Sequence, residues 1–271
     1  MDVHSEPVSI VHISDTHIGP SADYRRHGHS SLPGAERVVQ IINSLPIRPD
    51  AVVHTGDVVA HPSPDAYAEA ARVFAGLEVP VYYVVGNHDR SEDIARSLPM
   101  GPREELDPER SLLTYAVNVR GERLLMLDAR APDEMDPHGL LSERQLEIVR
   151  SEATPDGPPL TVFVHFPLWP LNARWFDENM LIVNGPELHD ALLPARGRLR
   201  GVFHGHLHMQ LQTYRDAVLY ASVPSTFANF TGWPEDEAPR IADSEPGYSV
   251  LYLMEGQTVV HHHTFARPGV E

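Results

Sequence analysis

The sequence predicts an α/β fold in which two mixed β-sheets pack face to face with helices outside, and three observations carry that prediction. Short runs rich in Val and Ile recur at 8 to 13 (VSIVHI), 51 to 54 (AVVH), 79 to 85 (VPVYYVV), 160 to 164 (LTVFV) and 199 to 203 (LRGVF), with the length and composition of buried strands. Helical patterns at 34 to 45 and 64 to 77 separate the early runs, and strands alternating with helices mark a largely parallel sheet. Two hairpin patterns add antiparallel strands and suggest a second sheet: YAVNV with RLLMLD about Arg120 and Gly121, and SVLYLM with TVVHHH about Glu255 and Gly256.

The later elements have local signals of their own. In the helix from 64 to 77, Tyr67, Phe74 and Leu77 recur at helical spacing. A further helix opens at Ser142, where Gln145 three residues on completes a capping box, and it turns Leu146 and Val149 inward. Another spans 185 to 195 and begins with Pro186. The HHH at 261 to 263 follows Val259 and Val260 and runs on into Thr264 and Phe265, so it reads as the polar end of a last strand.

Composition bounds the chemistry. The 271 residues suffice for one large domain, expected here to span 1–271. With 38 acidic against 21 basic side chains and a formal charge of −17, no broad basic footprint exists to hold a nucleic-acid backbone. There is no cysteine, so any metal is left to histidine, carboxylate and amide donors. MDVHSEPVSIVHISD lacks the basic and apolar regions of a signal peptide, and no stretch approaches membrane-spanning length, so a cytoplasmic protein without a membrane partner is expected.

Open α/β sheets bind ligands at the carboxyl ends of their strands, and the residues there form a regular series. After the first strand come Ser14, Asp15, Thr16 and His17; after the second, Gly56 and Asp57; after the third, Gly86, Asn87, His88 and Asp89; after the fourth, His165; after the fifth, Gly205, His206, Leu207 and His208. Each alone has an ordinary explanation: Asp15 as a helix cap, Gly56 and Asp57 as a turn, a lone histidine as a satisfied core group. Strand alternation alone would also put His204, His206 and His208 of GVFHGHLH on one face.

Taken in order, DxH, GD, GNHD, H and GHxH resemble the signature of the calcineurin-like metallophosphoesterases, binuclear metal hydrolases built as a sandwich of two mixed sheets with the metals at the strands' carboxyl ends. Further stretches (PSPDAY with Phe74, PVYYVVGNHD, HGLLSERQLEIV, NGPEL and VPST at 223 to 226) resemble the bacterial class III cyclic-nucleotide phosphodiesterases within that superfamily. Together these likenesses cover residues 1 to 260. Two neighbouring cations repel and need a shared anion between them, for which Asp57 is the candidate. The resemblance implies that Asp15, His17 and His208 complete one metal, and Asn87, His165 and His206 the other. Mn, Fe or Zn all suit such donors. Two metals of this kind activate water near neutral pH and clamp the oxygens of an in-line displacement. The resemblance further implies that His88 bonds a phosphoryl oxygen or protonates the leaving group, that Asp89 orients its loop, and that His204 lies outside the ligand set.

Two departures bear on the substrate. Related protein phosphatases place an arginine shortly after GD to hold a phosphate dianion, whereas GDVVAHPS offers His61, which disfavours a phosphoprotein. The fourth motif, HFPLWP, has Phe166 where many class III relatives carry a second histidine. Trp169, Trp175 and Phe176, in the loop from Leu168 to Asn184, read either as a surface for stacking a nucleobase or as a packing or homodimer surface. The expected reaction is hydrolysis of a small phosphodiester, 3',5'-cyclic AMP to 5'-AMP. The alternative is a broad-specificity hydrolase of glycerophosphodiesters or other phosphate esters. A nuclease is disfavoured by the acidic balance, and a non-catalytic scaffold by the filling of every predicted ligand position.

Overall fold

A computed structural model describes residues 6–109 and 112–268. The first residues of the leader prediction and the outer limits of the 1–271 domain lie outside them. The strand β1 (Val8–Ile13) is buried along its whole length. It leads through a long loop and α1 (Leu32–Asn43) to the parallel β2 (Ala51–His54), where Ile10 pairs with Ala51. Helix α2 (Pro64–Phe74) follows, capped by Ser63, whose side chain accepts from the Ala66 amide. The third strand, expected over 79 to 85, is only β3 (Val81–Tyr83). Pro80 has no N–H to donate, and beyond Val84 the chain already turns into the Gly86 loop. The short helix α3 (Ser91–Ser97) then leads to the second sheet.

That sheet begins with the two-residue β4 (Glu104–Glu105) and the predicted hairpin β5 (Tyr115–Val119) with β6 (Glu122–Leu127), which turns at Arg120 and Gly121, both at positive φ. Helix α4 (Glu143–Glu152) opens with the complete Ser142–Gln145 capping box and buries Leu146 and Val149. It delivers β7 (Leu160–Val164), parallel to β6. Helices α5 (Arg174–Asn179) and α6 (Gly185–Leu192), the latter continued by a single 3₁₀ turn, precede β8 (Leu199–His204). The hairpin β9 (Gln212–Arg215) and β10 (Val218–Ser222) completes the order β4-β5-β6-β7-β8-β10-β9. Its turn is Asp216–Ala217, both at positive φ, a pair lacking the glycine that marks such turns in a sequence.

A two-stranded hairpin, β11 (Phe230–Thr231) with β12 (Arg240–Ile241), precedes the last two strands, β13 (Gly247–Met254) and β14 (Gln257–Thr264). β13 runs antiparallel to β1, so the first sheet has the order β14-β13-β1-β2-β3. The hairpins therefore divide: the first builds the second sheet, while the last extends the first one. The HHH at 261 to 263 does end β14. Between the sheets, Ile10, Val53 and Leu251 of one pack with Leu124, Met126, Phe163 and Phe203 of the other. The outer face of the second sheet is covered by α4 and α6 through Leu146, Val149, Leu188 and Leu192. The carboxyl ends of β1, β2, β3, β7 and β8 converge on one rim. Among the described residues no helix is long and apolar enough to cross a membrane.

Candidate metal centre

The residues after those strand ends come together in the fold. Asp15, His17 and His208 present donor atoms within 4.8 Å of one another, as do Asp57, His165 and His206. Asp57 stands between the groups: its Oδ2 is 3.4 Å from His17 Nε2 and its Oδ1 3.5 Å from His165 Nε2. Asn87 Oδ1 is 3.3 Å from His165 Nε2. All seven predicted donors thus share one site. His88, not expected among the ligands, also forms a donor group with His17 and Asp57.

Holding these side chains together takes unusual backbone. Asp15, His17, Asp57, His206 and His208 have φ of 55°, 43°, 54°, 67° and 50°, a left-handed region few non-glycine residues enter. Such strain persists where the surroundings over-determine it. Here the His17 amide donates to Asp57 O at 2.9 Å, the His206 amide to Asp15 Oδ2 at 3.1 Å, and the Phe230 amide to His208 O at 3.0 Å. The motif glycines allow the approach. A Cβ on Gly86 would stand 2.2 Å from Asp57 Oδ1, and one on Gly205 1.9 Å from Ser14 Oγ. These turns also settle GVFHGHLH. β8 ends at His204, and the chain then leaves extended geometry, so the alternation that groups three histidines stops there. His204 is buried, bonds through Nδ1 to the Gly205 carbonyl, and joins none of the donor groups among the described residues.

A carbonyl only accepts, so ring contacts to carbonyls fix the tautomers. His165 donates from Nδ1 to Thr55 O (2.6 Å) and His208 from Nδ1 to Ala228 O (2.7 Å), and each turns an Nε2 lone pair toward the cluster. His206 donates from Nε2 to Pro137 O (3.0 Å), which leaves Nδ1 free. Asp89 accepts from the amides of Gly86, Val58 and Val59 and so ties the GNHD loop to the GD loop.

Electrostatics point the same way. Burial lowers His208 to about 3 and holds His17 and His206 well below the usual imidazole range. Burial raises Asp15 to about 7. Burial would raise Asp57 too, but His165, His88 and His17 outweigh it and hold its carboxyl well below the ordinary range. Burial also opposes charging His165, yet Asp57 and Asp15 raise it to about 9. The charged Asp57 carboxylate beside the neutral rings of His17, His206 and His208 forms a pocket that favours a cation. His17 Nδ1 is buried without a partner. All donors are nitrogen or oxygen, so the set fits first-row transition ions.

The centre floors a cavity of about 290 Å³ whose walls include Arg26, His27, His88, Trp175 and Phe230. Phe230 stacks on His208 with ring centroids 4.4 Å apart. Of the three aromatics in the Leu168–Asn184 loop only Trp175 lines this cavity. Trp169 packs on His189 and under the Arg215 guanidinium, and Phe176 is fully buried. Phe166 wedges edge-on against His165 and His206, each at 4.8 Å, so the departure in the fourth motif supplies an apolar wall.

Some participants gave little sign in the sequence. Ser225, within the VPST stretch, donates to Asp15 O and accepts from the amides of Phe227 and Ala228, which seats the carbonyl that His208 uses. Arg26, Pro137 and Phe230 carry no motif at all.

A sequence model of the calcineurin-like phosphoesterases matches residues 8–210, three quarters of the chain and all five motifs. The chain belongs to the calcineurin-like phosphoesterase family. Among its phosphoesterase relatives, it is 30% identical over 261 residues to a glycerophosphodiester phosphodiesterase of Enterobacter lignolyticus, covering 95% of this chain and 91% of that one. It is 29% identical over 249 residues to a 3',5'-cyclic adenosine monophosphate phosphodiesterase of Pseudomonas aeruginosa, covering 91% and 85%. In fold it is similar to a dimetal phosphatase of Danio rerio, with a TM-score of 0.68, 17% identity, and 97% and 98% of the two chains covered.

Proposed function

We propose that this phosphoesterase holds two metal ions, Mn, Fe or Zn, and hydrolyses a small phosphodiester, 3',5'-cyclic AMP, to 5'-AMP. The observation that carries this reading is the position of Asp57, each of whose carboxylate oxygens faces a different histidine of the cluster. Asp15, His17 and His208 would hold one ion and Asn87, His165 and His206 the other, with Asp57 shared. Bound there, the ions supply Lewis acidity and lower the pKa of water enough to give a nucleophile near neutral pH.

The chain supplies the remainder. His165, His206 and His208 are each held by a backbone carbonyl in the tautomer that leaves a lone pair for a cation. Asp89 keeps the GNHD loop in place through three amides and acts on the reaction only by positioning. His88 lies on the cavity wall beside Asp57, whose Oδ1 accepts from its amide, and its ring is placed to meet the reacting phosphoryl group. Trp175 and Phe230 give the cavity an aromatic side suited to a purine.

Hydrolysis of glycerophosphodiesters is the second reading, favoured by the 30% identity to the Enterobacter relative. A panel of metal-reconstituted assays on cyclic nucleotides, glycerophosphodiesters and phosphomonoesters separates the two. Turnover of 3',5'-cyclic AMP above the others is expected. Hydrolysis of monoesters with every diester left intact would overturn both readings.

A further inference from the structure

Arg26 lies in the loop between β1 and α1, outside the cluster of metal donors. Its Nη2 lies 3.1 Å from His88 Nε2, and it lines the cavity together with His17, Asp57 and Asn87. A guanidinium stays charged and only donates, so Nε2 of His88 is the acceptor there, and its Nδ1 donates to Ala60 O at 2.9 Å. Arg26 thus adds a fixed hydrogen-bond donor to the wall that carries His88.

Arg26 is also short of partners. Its Nε is buried with no acceptor, and it pairs with no carboxylate among the described residues. Two other part-buried arginines are matched to carboxylates, Arg123 to Glu152 at 2.7 Å and Arg200 to Glu122 at 2.8 Å. A chain with 38 acidic side chains has no shortage of anions to place. Sheltering an unpaired cation is costly, and an arriving anion offsets that cost. The planar fork of a guanidinium matches phosphate oxygens.

We propose that Arg26 is a phosphoryl-binding residue, whose guanidinium holds a non-bridging oxygen of the substrate and of the phosphomonoester that hydrolysis releases. It supplies from the β1–α1 loop the cation that GDVVAHPS lacks after Asp57. The net charge of −17 repels anions at long range, so a cation inside the cavity is what retains them. This inference rests on the reading of the centre as a metal-dependent phosphoesterase site.

The test is calorimetric titration of inorganic phosphate into the metal-loaded protein, with metal content measured in parallel. Arg26→Ala is expected to bind phosphate roughly ten- to a hundredfold more weakly at unchanged metal content. Arg26→Lys is expected to recover part of the loss, and the near-isosteric Arg26→Gln to behave as Arg26→Ala should the latter fold poorly. Phosphate affinity unchanged in these variants would overturn the proposal, even if turnover fell, because Arg26 would then only orient His88. A wild-type protein that takes up metal but binds no phosphate would overturn it as well. A wild-type protein that takes up no metal would instead fail the reading of the centre, and this proposal with it.

Discussion

Nε2 of His17 and Nε2 of His208 stand 3.0 Å apart across 191 residues of sequence. Burial keeps both rings neutral, so two nitrogens this close either share a proton or face a common cation. The cation reading makes the two histidines of GHxH unequal to the one before them. Replacing His208 or His206 by Ala is expected to remove most bound metal. His204→Ala is expected to keep its metal and lower the melting temperature by several degrees, as a buried side chain does when truncated. Metal content by atomic spectroscopy, read beside a thermal melt, checks both.

Asp89 and His88 adjoin in sequence and are expected to fail differently. Asp89→Ala orphans three buried amides, and metal affinity should weaken about 10- to 100-fold. His88→Ala should keep metal and lose about 10²- to 10⁴-fold in kcat. Intact turnover with metals bound would remove His88 from the chemistry.

Much of this centre was legible because its donors sit at strand ends, where local pattern and chemistry coincide. The buried runs located β1, β2, β7 and β8 to within a residue, and each run's end pointed to a donor. What stayed hidden depends on tertiary placement. Arg26 and Pro137 reach the site from loops without periodicity, and Ser225 acts through amides that a sequence does not display. The β9–β10 turn lacked the expected glycine. The strand-face argument at GVFHGHLH failed because positive φ at His206 and His208 breaks the two-residue period.

Acid should destabilise the fold. Burial lowers His54 to about 3 and His204 to about 4, and it holds His12 well below the ordinary range. His54 is committed as a neutral ring, since its Nδ1 accepts from the Gly56 amide while its Nε2 donates to Thr16 Oγ1. With the folded pKa below the unfolded value near 6.5, the unfolded chain binds the proton first. The stability these groups contribute is complete above pH 6.5 and is lost as pH falls toward 4 and 3. At pH 5 each of His54 and His204 costs roughly 2 kcal/mol; in the metal-stripped protein His17, His206 and His208 act the same way and outnumber Asp15 and Asp89, which acid relieves, so the melting temperature should fall from pH 7 to pH 5. A flat melting profile from pH 7 to 5 would contradict the burial of neutral histidines.

Trp175 is the aromatic that separates the two substrate readings. Stacking on a base is worth about 1–3 kcal/mol, so Trp175→Ala should raise KM for 3',5'-cyclic AMP about tenfold. A glycerophosphodiester, with no ring to stack, should be little affected. Equal losses on both substrates would assign Trp175 to packing.

Metals held by this cluster are expected to hydrolyse a cyclic phosphodiester. The most direct test is the rate of 5'-AMP release from 3',5'-cyclic AMP by the protein stripped of metal and then reconstituted with two equivalents of Mn²⁺. The stripped protein is expected to release no 5'-AMP, and the reconstituted protein to turn over many times. Metal-loaded protein that leaves 3',5'-cyclic AMP intact would contradict that expectation.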